Sequence, residues 1–76
     1  MNNRKNVKMD MRKRARASMG MLNLLKDDIE QIRVDADDFD LICLEESIRD
    51  AKGTLQMILD NITEIEYMLY LYTSKE

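Results

Sequence analysis

The sequence predicts an all-α protein: an antiparallel helical hairpin with heptad, coiled-coil-like packing that dimerises into a four-helix bundle. Three observations predict it. Apolar residues recur at alternating spacings of three and four through two long stretches. The chain is 45 % hydrophobic and 36 % charged, with no proline and two glycines, so little in it breaks a long helix. Its 76 residues bury too little surface for comfortable stability alone, and one cysteine with no histidine excludes both a disulfide framework and a zinc site. Association is the aid that remains.

The first helix, over about 5–34, follows from the series Met11, Ala15, Ser18, Leu22, Leu25, Ile29, Ile32 and Ala36, in which Ser18 is the one polar member. A turn is expected at about 35–40. Continuing the first series in phase would select Phe39 and Cys43, whereas the second series begins at Leu41 and Leu44, so the phase breaks within DADDFD. Aspartates compete with helical backbone bonds yet serve well as N-caps, and their charge suits the positive end of the helix that follows. With Asp40 as the cap, Phe39 and Leu44 take the two hydrophobic-staple positions. No Gly or Pro marks this turn, so one long helix with a coiled-coil irregularity is the competing arrangement. The second helix, over about 41–73, carries Leu41, Leu44, Ile48, Ala51, Leu55, Ile58, Ile62, Ile65, Leu69 and Tyr72. Residues 1–76 are thus read as one hairpin domain.

Apolar residues also flank the two series: Met19, Met21 and Leu24 in the first helix, and Ile42, Met57, Leu59, Met68 and Leu71 in the second. A stripe wider than one seam is what bundle helices carry, which makes a second copy the expected partner. The self-association surface is assigned to Leu22, Leu25 and Ile29 with Leu55, Ile58, Leu59, Ile62, Ile65 and Leu69. Tyr67, Tyr70 and Tyr72 are read as the lip of the bundle core. Met9, Met11, Met19 and Met21 are either core filling or an adaptable contact surface.

Charge is distributed unevenly. Arg4, Lys5, Lys8, Arg12, Lys13, Arg14 and Arg16 face Asp10 alone in the first twenty residues, while the whole chain has a net charge of −3. Clustered Lys and Arg displace counterions from phosphates, so these seven residues are the candidate contact for nucleic acid or for an acidic protein surface. Asp60, Glu64 and Glu66, brought alongside by the hairpin, are the acids placed to neutralise part of that charge. A membrane-surface role ranks lower, because the basic helix has no large aromatic anchor.

Catalysis is not expected. Glu45, Glu46 and Asp50, or Asp27, Asp28 and Glu30, are carboxylate groups of a kind that hold magnesium, but they read more simply as solvated faces, with Glu45 and Arg49 spaced for an exposed ion pair. Cys43 is read as a small buried residue near the turn rather than a reactive thiol. No cofactor, metal, catalytic residue or small-molecule substrate is assigned. The apolar tail IEYMLYLY falls well short of the roughly 20 residues a membrane span needs, so the chain is expected to be soluble, and its single cysteine suits the reducing cytoplasm.

A dimerising heptad hairpin with a basic first helix is similar in shape to the small RNA-binding bundle regulators of plasmid copy number. That shape implies an RNA partner, but no motif of the family is matched residue by residue and no site carries over. The expected function is therefore that of a small non-enzymatic binding or regulatory protein acting through its basic first helix on a macromolecular partner, nucleic acid being one candidate. The alternatives are a protein-binding inhibitor or adaptor, such as a mobile-element accessory protein that blocks a host or defence protein, and a purely structural oligomerisation module.

Overall fold

The structure, a computed structural model, describes residues 3–74. Two helices account for nearly all of them: α1 spans Asn3–Asp37 and α2 spans Leu41–Ser74. They pack against each other as an antiparallel hairpin measuring 57 × 17 × 11 Å, and no strand occurs among the described residues. The alternative of one unbroken helix is thereby replaced by a reversal at residues 38–40.

α1 runs further into the aspartate cluster than the expected break at 35–40. The reason is that the first of these aspartates does not compete with the helix backbone. Asp35 turns inward, accepting from Gln31 Nε2 at 2.9 Å on one oxygen and from Ser47 Oγ at 2.6 Å on the other. Asp37 is engaged as well, by Arg33 Nη1 at 2.8 Å.

The reversal itself is a Schellman motif. Phe39 N–H donates to the Ala36 carbonyl at 3.1 Å and Asp40 N–H to the Asp35 carbonyl at 3.0 Å, with Phe39 at a φ of 54°. That left-handed position usually belongs to glycine, because a Cβ there crowds the following carbonyl. Asp40 then opens α2: its carboxylate accepts from Cys43 N–H at 3.1 Å and its carbonyl from Leu44 N–H at 2.8 Å. Asp40 is thus the N-cap. Phe39 and Leu44 stand at the staple positions, but Phe39 stays 74 % exposed, so the staple buries little of its ring.

The hairpin seam is a strict heptad seam, yet it is not the one the apolar series implies. In α1 the inward residues are Val7, Met11, Arg14, Ser18, Met21, Leu25, Asp28, Ile32 and Asp35. In α2 they are Leu44, Ser47, Ala51, Thr54, Ile58, Asn61, Ile65, Met68 and Tyr72. Every second member of each apolar series therefore points in, and every other member points out. The rows turned in beside them are mostly polar, and they bond across the hairpin: Ser47 to Asp35, Thr54 Oγ1 to Asp28 at 2.9 Å, and Asn61 Nδ2 weakly to the Met21 sulfur at 3.9 Å. Ser18 lies in the buried seam with its hydroxyl donating back to the Arg14 carbonyl. Among the described residues, Ala51 and Ile58 are the buried hydrophobic ones.

Candidate functional site: an open cationic end and an uncovered apolar face

The side of the hairpin that the seam leaves bare follows from helix geometry. Four residues on from the inward row Met11, Ser18, Leu25 and Ile32 come Ala15, Leu22, Ile29 and Ala36; four residues on from Leu44, Ala51, Ile58 and Ile65 come Ile48, Leu55, Ile62 and Leu69. All of these are exposed. Four residues advance a helix by about 40° past a full turn. Because α1 and α2 run in opposite directions, that advance rotates both outer rows toward the same side of the hairpin. The side chains agree. Lys8, one heptad before Ala15, and Leu69 line one groove of about 420 Å³ together with Arg4, Val7, Met11, Arg12 and Tyr72. A second groove follows the same row along α1, lined by Leu22, Leu25, Lys26, Ile29 and Glu30.

Of the residues assigned to self-association, the structure places Leu25, Ile58 and Ile65 inside the hairpin seam and leaves Leu22, Ile29, Leu55, Leu59, Ile62 and Leu69 exposed. Leu41, at 57 % exposure, and Ile48 complete the row on α2. These two belong to the same uncovered face although the sequence reading did not assign them to self-association. The signal for them was available: each lies seven residues from the next member of the row.

The seven basic residues occupy the open end of the hairpin, away from the turn. Arg4, Lys5, Lys8, Arg12, Lys13 and Arg16 are exposed and Arg14 is half-buried in the seam. Arg12, Lys13 and Arg16 gather around Met9 on the outer surface of α1. The expected neutralisation by Asp60, Glu64 and Glu66 does not occur: among the described residues no ion pair crosses the hairpin. The ion pairs found there all lie within one helix, Arg33 with Glu30 at 2.6 Å and with Asp37 at 2.8 Å, and Arg49 with Glu45 at 3.8 Å. All are exposed and contribute little to stability. Hydrogen bonding from Arg33, followed by its charge, holds the Glu30 carboxyl below the ordinary glutamate range.

Charge consequently separates along the rod. Residues 4–20 and 60–74, at the open end, hold seven Lys and Arg against four acids; residues 21–59, toward the turn, hold four against ten. Acidic groups do not converge into a metal-binding cluster: among the described residues no three His, Cys, Asp or Glu side chains come together, the two carboxylate sets noted above included.

Cys43 is exposed, contrary to the burial expected of it. It belongs to the flanking row Cys43, Asp50, Met57, Glu64 and Leu71, which the neighbouring helix does not cover. A hydrogen bond with Asp40 and then the charge of that carboxylate push the thiol above its ordinary range, so it is not an activated nucleophile. Asp40 itself sits below the usual aspartate range, first through the bond it accepts from the Cys43 backbone. A carboxyl depressed in the folded state stabilises it above the unfolded value, and that contribution disappears as pH falls through the folded one. Of the three tyrosines, Tyr72 is half-buried in the open-end groove, while Tyr67 and Tyr70 remain exposed. The methionines divide in the same way: Met11 and Met21 enter the seam, and Met9 and Met19 stay outside.

No helix among the described residues is long and apolar enough to cross a membrane. The chain matches no protein-family model, no curated protein and no solved structure.

Proposed function

We propose that this chain is a non-enzymatic helical binding protein that dimerises through its uncovered apolar face and contacts a polyanionic macromolecule, nucleic acid, with the basic half of α1. One observation carries the reading: six of the seven cations at the open end, all but the half-buried Arg14, stay turned to solvent, with no carboxylate of α2 in salt-bridge range among the described residues. Desolvated or paired cations would have little left to exchange for phosphate counterions; open ones release those counterions on binding. The exposed rows on one side supply the dimer, because apolar surface of this extent on a small soluble rod marks a contact. The second copy completes a four-helix bundle. A reducing cytoplasm suits the exposed Cys43 thiol.

The test is a binding titration against a short duplex and a single-stranded RNA over a range of salt. Affinity is expected to fall steeply with salt, with a slope near −0.9 per phosphate contacted on duplex. Reversing Arg12, Lys13, Arg14 and Arg16 to glutamate abolishes binding while helicity is retained. Absence of binding to either polymer at low salt overturns the reading.

A protein partner is the second reading, favoured by the tip of the hairpin. Phe39 and Ile42 are 74 % and 81 % exposed there, among Asp37, Asp38 and Asp40. Exposed apolar groups ringed by acids suit a basic, partly apolar protein surface.

A further inference from the structure

We infer that the tip of the hairpin docks on the outer surface of α1 of another copy, the Phe39 ring entering the hollow that Arg12, Lys13 and Arg16 form around Met9. This rests on the reading of the tip as a contact for a protein and names the surface it meets.

The two surfaces are chemical opposites. At the tip, Phe39 and Ile42 stand in water among the carboxylates of Asp37, Asp38 and Asp40. Near the open end, Met9 stands in water among three cations, none of which has a carboxylate in salt-bridge range among the described residues. Each surface therefore offers an apolar centre inside a charged rim, as protein contacts do, and the two rims carry three charges of opposite sign. The bond from Arg33 to Asp37 is exposed and worth little, so it does not withhold that carboxylate.

The centres match as well. A hollow of about 160 Å³ is smaller than the roughly 300–1,000 Å³ of a small-molecule pocket and suits a single side chain. An aromatic ring gains more in it than an aliphatic one, because its face attracts a guanidinium and its edge favours a thioether sulfur. Phe39 is also fixed in advance. The backbone bonds of the reversal hold it in one conformation, so docking orders little beyond the ring itself.

The contact forms between copies, because about 42 Å of α1 separates Met9 from Asp37 in one chain. It also leaves the uncovered apolar side free. Met9 lies two residues from both Val7 and Met11, and Arg16 two residues from both Arg14 and Ser18, all of them inward. Two residues turn a helix by about 200°, so Met9 and Arg16 point away from the seam. A tip that meets a different surface makes a heterologous contact, which leaves a free tip and a free patch for further copies. Nucleic acid on the same cations and a docked tip exclude each other.

The test is sedimentation velocity of the full chain at roughly 0.01 M and 1 M salt, where charges are screened beyond about 30 Å and 3 Å. In dilute salt the average mass climbs past two chains as concentration rises; in concentrated salt it falls back to a constant value. Asp37→Lys with Asp38→Lys, and separately Lys13→Glu with Arg16→Glu, each hold the chain at that constant value in dilute salt. An equal mixture of these two variants assembles again, since each tip then finds a patch of opposite charge. Phe39→Ala keeps every charge and weakens assembly about tenfold, the scale on which a central aromatic counts. Mixed variants that stay apart, or a Phe39→Ala chain that assembles like the parent, overturn the contact. Should assembly fail, a lysine–phenylalanine copolymer separates this inference from the reading beneath it. Binding that Phe39→Ala weakens leaves the tip a contact for some other basic protein, and binding that it leaves unchanged ends that reading too.

Discussion

The inner seam of the hairpin and the face beside it have exchanged the roles that their positions suggest. Inside, between the helices, stand Ser18, Asp28, Asp35, Ser47, Thr54 and Asn61 among the apolar residues; outside stand Leu22, Ile29, Leu41, Ile48, Leu55, Ile62 and Leu69 with hardly an interruption. A monomer would bury its polar row and expose its richest apolar one. Hydrophobic burial is the dominant favourable term in folding, so a partner that covered the outer face would add to the stability of a rod arranged this way. The polar row inside does a different job. Its bonds of Asp35 to Ser47 and Asp28 to Thr54 tie α1 to α2 at two levels of the rod and satisfy polar groups that would otherwise be unpaired in the seam.

The largest effect expected from this contrast comes from the outer face. Leu55→Asp combined with Ile62→Asp removes two side chains that each contribute about 1.5–3 kcal/mol when buried, and it places charges in the contact. Thermal unfolding by circular dichroism should reveal a loss of about 3 kcal/mol or more per protomer, with the scattering mass falling to that of one chain. If that face is in water in the native protein, the same variant will unfold at an unchanged temperature, and the contrast between the two regions disappears.

The inner seam gives the next effect. Asp35 is 6 % exposed and holds two donors on its two oxygens. Asp35→Ala leaves the Ser47 hydroxyl and the Gln31 amide without their acceptor, at a cost of about 2 kcal/mol in denaturant unfolding. Removing both sides together, as Asp35→Leu with Ser47→Ala, should return much of that loss, because an apolar pair of similar shape replaces a buried polar one. A single Asp35→Ala substitution that stabilises the chain would show that its bonds hold nothing in place.

How far the sequence discloses this arrangement depends on which question is put to it. The two helices and the reversal were legible in the alternation of three and four and in its loss of phase at DADDFD, and Asp40 caps α2 as that reading required. The seam was not legible, and the reason is arithmetical. A row pair such as Leu44 and Ser47 advances by three then four; a pair such as Leu44 and Ile48 advances by four then three. Both repeat every seven residues, so periodicity alone does not say which pair faces the neighbouring helix. A row of small and polar residues at the same period, Ser47, Thr54 and Asn61 matched by Asp28 and Asp35, was the available clue. Asp35 falls within the turn expected at 35–40, because its burial depends on Ser47, twelve residues away, and local composition carries no trace of such a partner. The basic cluster was legible as a cluster. That α2 would leave it unpaired depends on where side chains of the two helices come to lie, which composition does not encode.

The smallest effect separates the strain at the turn from the use of the turn. Phe39 holds a left-handed conformation that costs a non-glycine residue roughly 1–2 kcal/mol, and its ring recovers little of this while 74 % exposed. Phe39→Gly relieves the crowding but adds freedom to the unfolded chain worth about 0.5–1 kcal/mol, so a net gain of about 0.5–1 kcal/mol is expected in thermal unfolding. Phe39→Ala serves as the control, since it removes the ring while keeping the Cβ, and stability should barely move. A tip retained as a contact for a protein partner predicts that both variants lose the partner although only the glycine variant gains stability. Should Phe39→Gly lower the unfolding temperature instead, the ring is packed against something at the tip, and the turn belongs with the covered regions of the molecule rather than the open ones.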